Sequence, residues 1–440
     1  MHYKKFGSRL MNHGLRSSCL LGSLVAVVTL GCDFQTPEFH LNMVQMVSDA
    51  TPTPKPYQEQ IADVLGGMFG TPDEPFALPE TGLDIRRLKM AAGPAWTDEK
   101  GAAFGLYRQH CSHCHGIDGD GQGPTALFLN PYPRDYRQGV YKFKSTYNPA
   151  KPTDEDLHRV LVNGIPGSAM PSFSLLASAE IEALIEYVKY LSMRGQMETA
   201  LTNYVYNDLG EEEVLDENGD PVLNEDGEPK TELIPLDPEN DEEQRAAITE
   251  MLAEIVEGWN EANEQIIVPT EEDIPTDVTD MKKFAESAAK GRELFYGTRA
   301  NCVKCHGPTG LGDGQQDDYD IWNKAHLQFL ESVANDSGEP QFASIREEVA
   351  ESLYPVRNAI PRNLRLGVYR GGNRRIDIFW RIYAGIAGTP MPGSGPASPG
   401  AQGTLTEEEM WNIVDYVLSL PYEDASQPQK ALPINVELVN

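Results

Sequence analysis

The pattern C-x-x-C-H occurs twice in this chain, as Cys111-Ser112-His113-Cys114-His115 and as Cys302-Val303-Lys304-Cys305-His306. In each copy the two thiols are spaced by one helical turn, where they can add to the two vinyl groups of a haem. The adjacent His can then reach the iron as its proximal ligand. The sequence therefore predicts two covalently bound c-type haems, with His115 and His306 as iron ligands.

Other uses of paired cysteines explain less of the pattern. Two C-x-x-C pairs could supply the four ligands of a zinc site, and each pair could instead form a disulfide. Both interpretations leave unexplained why a His follows each pair directly. A redox-active dithiol is typical of a βαβ unit, which this sequence does not indicate.

The two copies match beyond the haem motif, which indicates an internal repeat. Pro133-Arg134 corresponds to Pro361-Arg362, and later blocks end in Met170-Pro171 and Met391-Pro392. Met170 and Met391 are therefore the candidates for the sixth iron ligand. A thioether ligand raises the reduction potential of a haem relative to a second His.

The order of these features resembles a class I cytochrome c domain. Each copy has a leading helix, C-x-x-C-H, a Gly-rich loop, Met-Pro and a closing amphipathic helix. The resemblance implies a mainly α fold of two small helical domains, in which the first and last helices cross beside the haem. The Pro-Arg and Met-Pro blocks also resemble cytochrome subunits of alternative complex III and of haem–copper oxidase systems.

Helix signals fit this scheme at both ends of each copy. Thr97, followed by two acidic residues, is a predicted N-cap of the first leading helix, and the second is expected over residues 281–296. Thr406 with Glu409 forms a predicted capping box before the second closing helix. Ile181 begins the apolar stripe of the first closing helix.

Arg134 and Arg362 hold matching places between the haem motif and the Met. A guanidinium group can bind a haem propionate through two parallel hydrogen bonds. A surface Arg that anchors a loop would produce the same pattern, and the sequence leaves both roles open. His158 and His326 do not occupy equivalent positions, so we expect them to be surface or structural residues.

The N-terminus has the features of an export signal. Basic residues precede an apolar run from Leu20 to Leu30, which is too short to span a membrane. Thr29-Leu30-Gly31-Cys32 resembles a bacterial lipobox, so Cys32 is a predicted lipidation site; cleavage as an ordinary signal peptide is the alternative. We expect an exported protein on the periplasmic side, anchored to the membrane by this lipid.

Composition and motif positions divide the 440 residues into consecutive segments. The acidic linker contains a predicted hairpin at Asn218-Gly219 and a predicted helix over residues 242–266. The segments are a signal peptide (1–31), a Pro-rich extended spacer (32–95), cytochrome domain 1 (96–194), the acidic linker (195–280), cytochrome domain 2 (281–422, with an insertion near 315–352) and a C-terminal tail (423–440).

These features predict an electron carrier and not an enzyme. The net charge of −31 excludes a nucleic-acid partner, because phosphates select basic surfaces. The expected partners are redox proteins, namely a quinol-oxidising complex and a terminal oxidase of a respiratory chain. The alternatives are a di-haem enzyme such as a peroxidase, with one open iron, and a fixed cytochrome subunit of a membrane respiratory complex.

Overall fold

The computed structural model describes residues 37–47, 52–224, 227–270, 279–335 and 342–424. The predicted signal peptide, Cys32 and most of the C-terminal tail lie outside these ranges. The described residues belong to one compact unit. None of the helices in these ranges is both long and apolar enough to cross a bilayer.

The fold is mainly α-helical, as predicted. The described helices are α1 (Met43–Val47), α2 (Lys55–Phe69), α3 (Ile85–Ala91), α4 (Leu106–His110), α5 (Ser112–His115), α6 (Asp154–Asn163), α7 (Ser178–Tyr204), α8 (Glu242–Asn260), α9 (Met281–Tyr296), α10 (Val303–His306), α11 (Ile321–Ala334), α12 (Ala343–Ser352), α13 (Arg375–Tyr383) and α14 (Glu407–Ser419). The named strands in the same ranges form two short antiparallel pairs, β1 (Trp96–Thr97) with β2 (Ala103–Phe104) and β3 (Glu211–Glu213) with β4 (Thr231–Leu233).

Domain 2 is built around the crossing of α9 and α14. The bounds of α9 coincide with the predicted helix, and Asp280 caps it by accepting from the backbone N–H of Lys282. The predicted capping box of Thr406 and Glu409 is present at the start of α14. The residues of α14 that repeat at helical spacing, Met410, Ile413, Val414 and Val417, are buried.

In domain 1 the long helix α7 is the centre of the core. Its predicted apolar residues, beginning with Ile181, are buried. The helix continues beyond the predicted domain boundary at residue 194, because Met197 and Leu201 extend the buried stripe into the linker region. This continuous helix joins the haem domain to the segment that follows it.

The predicted N-cap at Thr97 is wrong. Thr97 lies in β1, and the helix that leads into the first haem motif begins only at Leu106. The Asp98 carboxylate accepts from the backbone N–H groups of Lys100 and Ala102 and so closes the turn between β1 and β2. Such a local side-chain bond offers the backbone an alternative to a helix.

The prediction of an extended Pro-rich spacer is wrong for the described part of residues 32–95. Residues 55–69 form α2, whose Tyr57, Ile61, Leu65 and Phe69 are buried, and this helix packs with α3 on α7. Proline does not prevent this, since Pro56 lies in the first turn, where its missing N–H is not needed.

The linker and the insertion both fold against domain 1. The hairpin at Asn218-Gly219 is present, with Gly219 at φ 84°, and α8 packs on α7. The insertion contributes α11 and α12, and α12 contacts α1. The Tyr354 hydroxyl donates to the carbonyl of Gly123 at 3.2 Å, beside the first haem motif. Thus a segment of copy two covers part of copy one.

Candidate haem sites

The two C-x-x-C-H motifs fold in the same way. The backbone N–H of His115 donates to the Cys111 carbonyl at 2.9 Å, and that of His306 donates to the Cys302 carbonyl at 2.9 Å. Each motif is therefore one helical turn, which places both of its thiols on the same turn. The glycine that follows each His has a positive φ, 74° in one copy and 79° in the other, and ends the turn.

Both histidines have the environment of an imidazole metal ligand. His115 Nδ1 lies 3.0 Å from the Arg134 carbonyl oxygen, and His306 Nδ1 lies 3.2 Å from that of Arg362. A carbonyl only accepts, so Nδ1 carries the proton and Nε2 keeps its lone pair for a metal. Burial lowers the pKa of His115 to about 4 and also lowers the pKa of His306. Both imidazoles are therefore neutral at physiological pH.

The Gly-rich loops pack against the Pro-Arg segments, whose Arg carbonyls accept from the two histidines. The Gly121 N–H donates to the His115 carbonyl at 2.9 Å, and Gly312 makes the same bond to His306 at 2.9 Å. Gly121 has a φ of 79°, and a Cβ there would lie 2.6 Å from the Pro133 carbonyl oxygen. A side chain at this position would push the Pro-Arg segment away from the His.

The two methionines lie in turns of identical construction. The Met170 carbonyl accepts from the Ile165 N–H at 3.1 Å, as the Met391 carbonyl does from Ile386 at 3.1 Å. A hydroxyl two residues earlier accepts from each Met N–H, at 3.3 Å in both copies. Both side chains are half-buried. Met170 and Met391 therefore lie in equivalent backbone turns, as the sequence predicts.

Arg134 is a half-buried cation that makes no direct ion pair with a described residue. Its guanidinium makes no hydrogen bond or ion pair with any residue that the structure describes, and burial lowers its pKa to about 10. It stacks over the ring of Trp322, with Cζ 3.4 Å from the ring centroid. Asp320 and Asp135 favour its charged form without a direct contact, and a haem carboxylate would give it a direct partner.

Arg362 occupies the equivalent place in domain 2. Its Nε donates to the Val368 carbonyl at 3.0 Å, and its guanidinium lies against Gly167 in the Met loop of domain 1. Two further cations lie beside them, Lys142 and Arg370, which the sequence pattern alone did not single out. They hold equivalent positions one residue beyond the matching Tyr141 and Tyr369, and this repeated charge was the signal that could have identified them.

These four cations lie where the two domains meet. Lys142 pairs across the boundary with Asp320 of the insertion at 3.0 Å. Arg370 donates to the Gly167 carbonyl at 3.3 Å, and its buried Nε has no hydrogen-bond partner among the described residues. In a chain with a net charge of −31, this cluster is a local concentration of positive charge.

The remaining histidines are not placed symmetrically. His158 lies in α6 and follows the capping-box residue Asp156 by two positions. The residue that corresponds to Asp156 is Asp377 of α13, so the residue that corresponds to His158 is Phe379. His326 lies in α11 of the insertion. In the part of the chain that is described, no three His, Cys, Asp or Glu side chains come together as a metal site. The two motifs therefore do not combine into one zinc site there.

The comparisons with known proteins agree with the haem motifs. A family model described as cytochrome c matches residues 99–192 and 288–421, just over half of the chain. Among solved structures, the chain is similar to a reducing HAO-like protein complex of Kuenenia stuttgartiensis. The two share 21% identity over 72% of this chain and 94% of that one, with a TM-score of 0.40. No curated protein matches the chain. This chain therefore belongs to the cytochrome c family, whose covalent c-type haem transfers electrons.

Proposed function

We propose that this protein carries two c-type haems and passes electrons between them without making or breaking substrate bonds. The observation that supports the proposal is the duplication of a complete set of haem-holding geometry. The first set is Cys111, Cys114, His115 and Met170, and the second is Cys302, Cys305, His306 and Met391.

The bound haem would supply the one-electron chemistry, and the protein would hold the iron in one geometry. Each His presents Nε2 while the Pro-Arg carbonyl keeps its proton on Nδ1. Each Met lies in a hydrogen-bonded turn that restrains it. With His and Met as two firm ligands, each iron would have no position for a substrate, which favours an electron carrier over a peroxidase-like enzyme.

Arg134 and Arg362 are proposed to bind the haem propionates. Both side chains lie at the domain boundary together with Lys142 and Arg370. Lys142 is already paired with Asp320, so Arg134, Arg362 and Arg370 are the cations available to haem carboxylates. A buried, charge-assisted pair between guanidinium and carboxylate would also offset the cost of burying each group.

The proposed setting is a respiratory chain, with electrons received from a quinol-oxidising complex and delivered to a terminal oxidase. The basic and apolar N-terminal sequence supports export, and the lipobox-like Cys32 supports a lipid anchor on the periplasmic side. Either a mobile carrier or a fixed subunit of a membrane complex fits this setting.

Haem content is the first test. The protein should be produced in a host that matures c-type cytochromes, and its haem should be quantified by pyridine haemochrome and by mass. We expect two covalent haems per chain. Cys111→Ala with Cys114→Ala should leave one haem, and so should the matched pair Cys302→Ala with Cys305→Ala. Retention of two haems in either variant would contradict the assignment.

Carbon monoxide binding to the reduced haems then distinguishes an electron carrier from an enzyme. The reduced holoprotein should show no spectral change with carbon monoxide, because both irons are expected to have six firm ligands. Rapid binding at one haem would contradict the electron-carrier proposal and favour an enzyme with one open iron.

Cys32→Ser tests the anchor, since it should move the protein from the membrane fraction to the periplasmic fraction.

A further inference from the structure

Cations of domain 2 contact the Met loop of domain 1 directly. From domain 2, Arg362 lies against Gly167, and Arg370 donates to the Gly167 carbonyl at 3.3 Å. Gly167 lies three residues before Met170. From domain 1, Arg134 and Lys142 lie against the ring of Trp322, which in turn packs on the equivalent loop of domain 2.

Trp322 makes the surroundings of the Met391 loop different from those of the Met170 loop. It belongs to the insertion of copy two, so copy one has no counterpart. Its ring packs on Gly388, the equivalent of Gly167, and the neighbouring Ile321 N–H donates to the Gly388 carbonyl at 3.0 Å. Arg134 stacks on the same ring at 3.4 Å, and Lys142 Nζ lies 5.4 Å from the ring centroid.

This indole has a donor that its protein surroundings do not use. Trp322 is only 8% exposed, and its Nε1 has no hydrogen-bond partner among the residues that the structure describes. A buried N–H without an acceptor is destabilising, so native structures normally provide one. Arg134, which makes no direct ion pair with a described residue, lies on the same ring, whereas Lys142 is already paired with Asp320. An anionic acceptor would therefore serve both the indole N–H and Arg134.

We propose that Trp322 donates its indole N–H to a haem carboxylate and is a positioning residue shared by both haem sites. The proposal rests on the di-haem function proposed above. On one side Trp322 supports Arg134, whose carbonyl holds His115; on the other it supports the loop of Met391. Trp322 therefore makes the two haems inequivalent and couples them, because one side chain contacts the surroundings of both irons.

The test is a redox titration of the holoprotein, followed in the visible spectrum. Trp322→Phe keeps an aromatic ring for Arg134 and removes only the N–H. We expect it to lower the midpoint potential of one haem, since a carboxylate without this donor stabilises ferric iron. Trp322→Ala should in addition weaken the near-infrared band of Met-ligated ferric haem, because the Met391 loop loses its support.

Arg134→Met should lower the midpoint potential of a haem as well. In the double variant with Trp322→Phe, the two shifts should not add, since both residues act on one cluster. The control is Trp96→Phe, which changes a tryptophan that is 56% exposed and stacked on Phe104, outside the boundary. It should leave both potentials unchanged.

Two results must be distinguished. If the wild-type protein holds two haems but the potentials of both Trp322 variants equal those of wild type, Trp322 only packs the domains together and the inference is wrong. A lower unfolding temperature alone would have the same meaning. If the wild-type protein holds fewer than two haems, the di-haem function itself is contradicted.

Discussion

Gly291 of α9 lies directly against the backbone of Asn412 in α14, with no room for a side chain between them. The Ser287 hydroxyl, one turn earlier, donates to the Asn412 side-chain oxygen at 2.7 Å. This close approach allows the first and last helices of domain 2 to cross in contact, as the resemblance to class I cytochromes c predicts. The helix crossing therefore depends on a residue without a Cβ.

Gly291→Ala should destabilise the protein by about 1–3 kcal/mol or more, since the added methyl group must push the two helices apart. Urea denaturation of the holoprotein measures this loss. Gly66→Ala is the matched control, because Gly66 is an exposed helical glycine of α2 with no atom within 4 Å of the added Cβ. That change should stabilise by about 0.5–1 kcal/mol. Equal stability of Gly291→Ala and wild type would show that the helices do not cross in contact.

Replacing either Met should open one iron. Met170→Ala and Met391→Ala should each allow one haem to bind carbon monoxide and should lower the potential of that haem, because the thioether favours ferrous iron. Met197→Leu is the control, since Met197 is fully buried in α7 and lies outside both Met loops. A carbon monoxide spectrum identical to wild type in either Ala variant would exclude that Met as a ligand.

Arg346 should be needed to hold the insertion on domain 1. Its buried guanidinium donates to the Val47 carbonyl at 2.9 Å and to the Ser332 hydroxyl at 2.7 Å. Arg346→Met leaves buried acceptors unpaired, so a loss of about 1–3 kcal/mol is expected, together with faster proteolysis within α11 and α12.

The control for Arg346 is Arg245, which also donates to two backbone oxygens but is exposed. Water can replace its hydrogen bonds, so Arg245→Met should change stability by less than about 0.5 kcal/mol. Equal effects of the two substitutions would show that the insertion does not depend on the buried Arg.

Tyr369 should make the protein sensitive to alkali. Burial raises the pKa of Tyr369 to about 12, from an ordinary value of 10.0. The unfolded chain then loses this proton first, so the stability contributed by Tyr369 is complete below pH 10 and is lost as the pH rises towards 12. Its hydroxyl donates to the carbonyls of Leu364 and Val417 at 3.2 and 2.9 Å.

Tyr369→Phe should therefore lower stability at pH 8 by about 1 kcal/mol and reduce the further loss between pH 8 and pH 11. Urea denaturation at the two pH values measures both effects. Tyr206→Phe is the control, because the Tyr206 side chain is 52% exposed and lies in the linker region, and it should change neither value. An unchanged alkaline loss in Tyr369→Phe would show that Tyr369 does not contribute to it.

The haem-holding residues could be predicted because their geometry is local. The Cys and His of each motif are separated by one helical turn, and the capping of α14 by Thr406 involves residues three positions apart. Such short-range relations depend on backbone geometry alone, so the spacing in the sequence is sufficient. Because the whole domain is duplicated, Met170 and Met391 could also be recognised as corresponding candidates for the sixth ligand.

The sequence by itself thus determined the two haem motifs, the mainly α class and the bounds of α9. Only the tertiary structure decided that residues 55–69 form a helix on α7, that Thr97 lies in a strand, and that the insertion of copy two folds against copy one. It also decided that Trp322 lies between Arg134 and Gly388. These outcomes depend on the burial of apolar and charged groups by residues far away in the sequence, and local propensity does not contain that information.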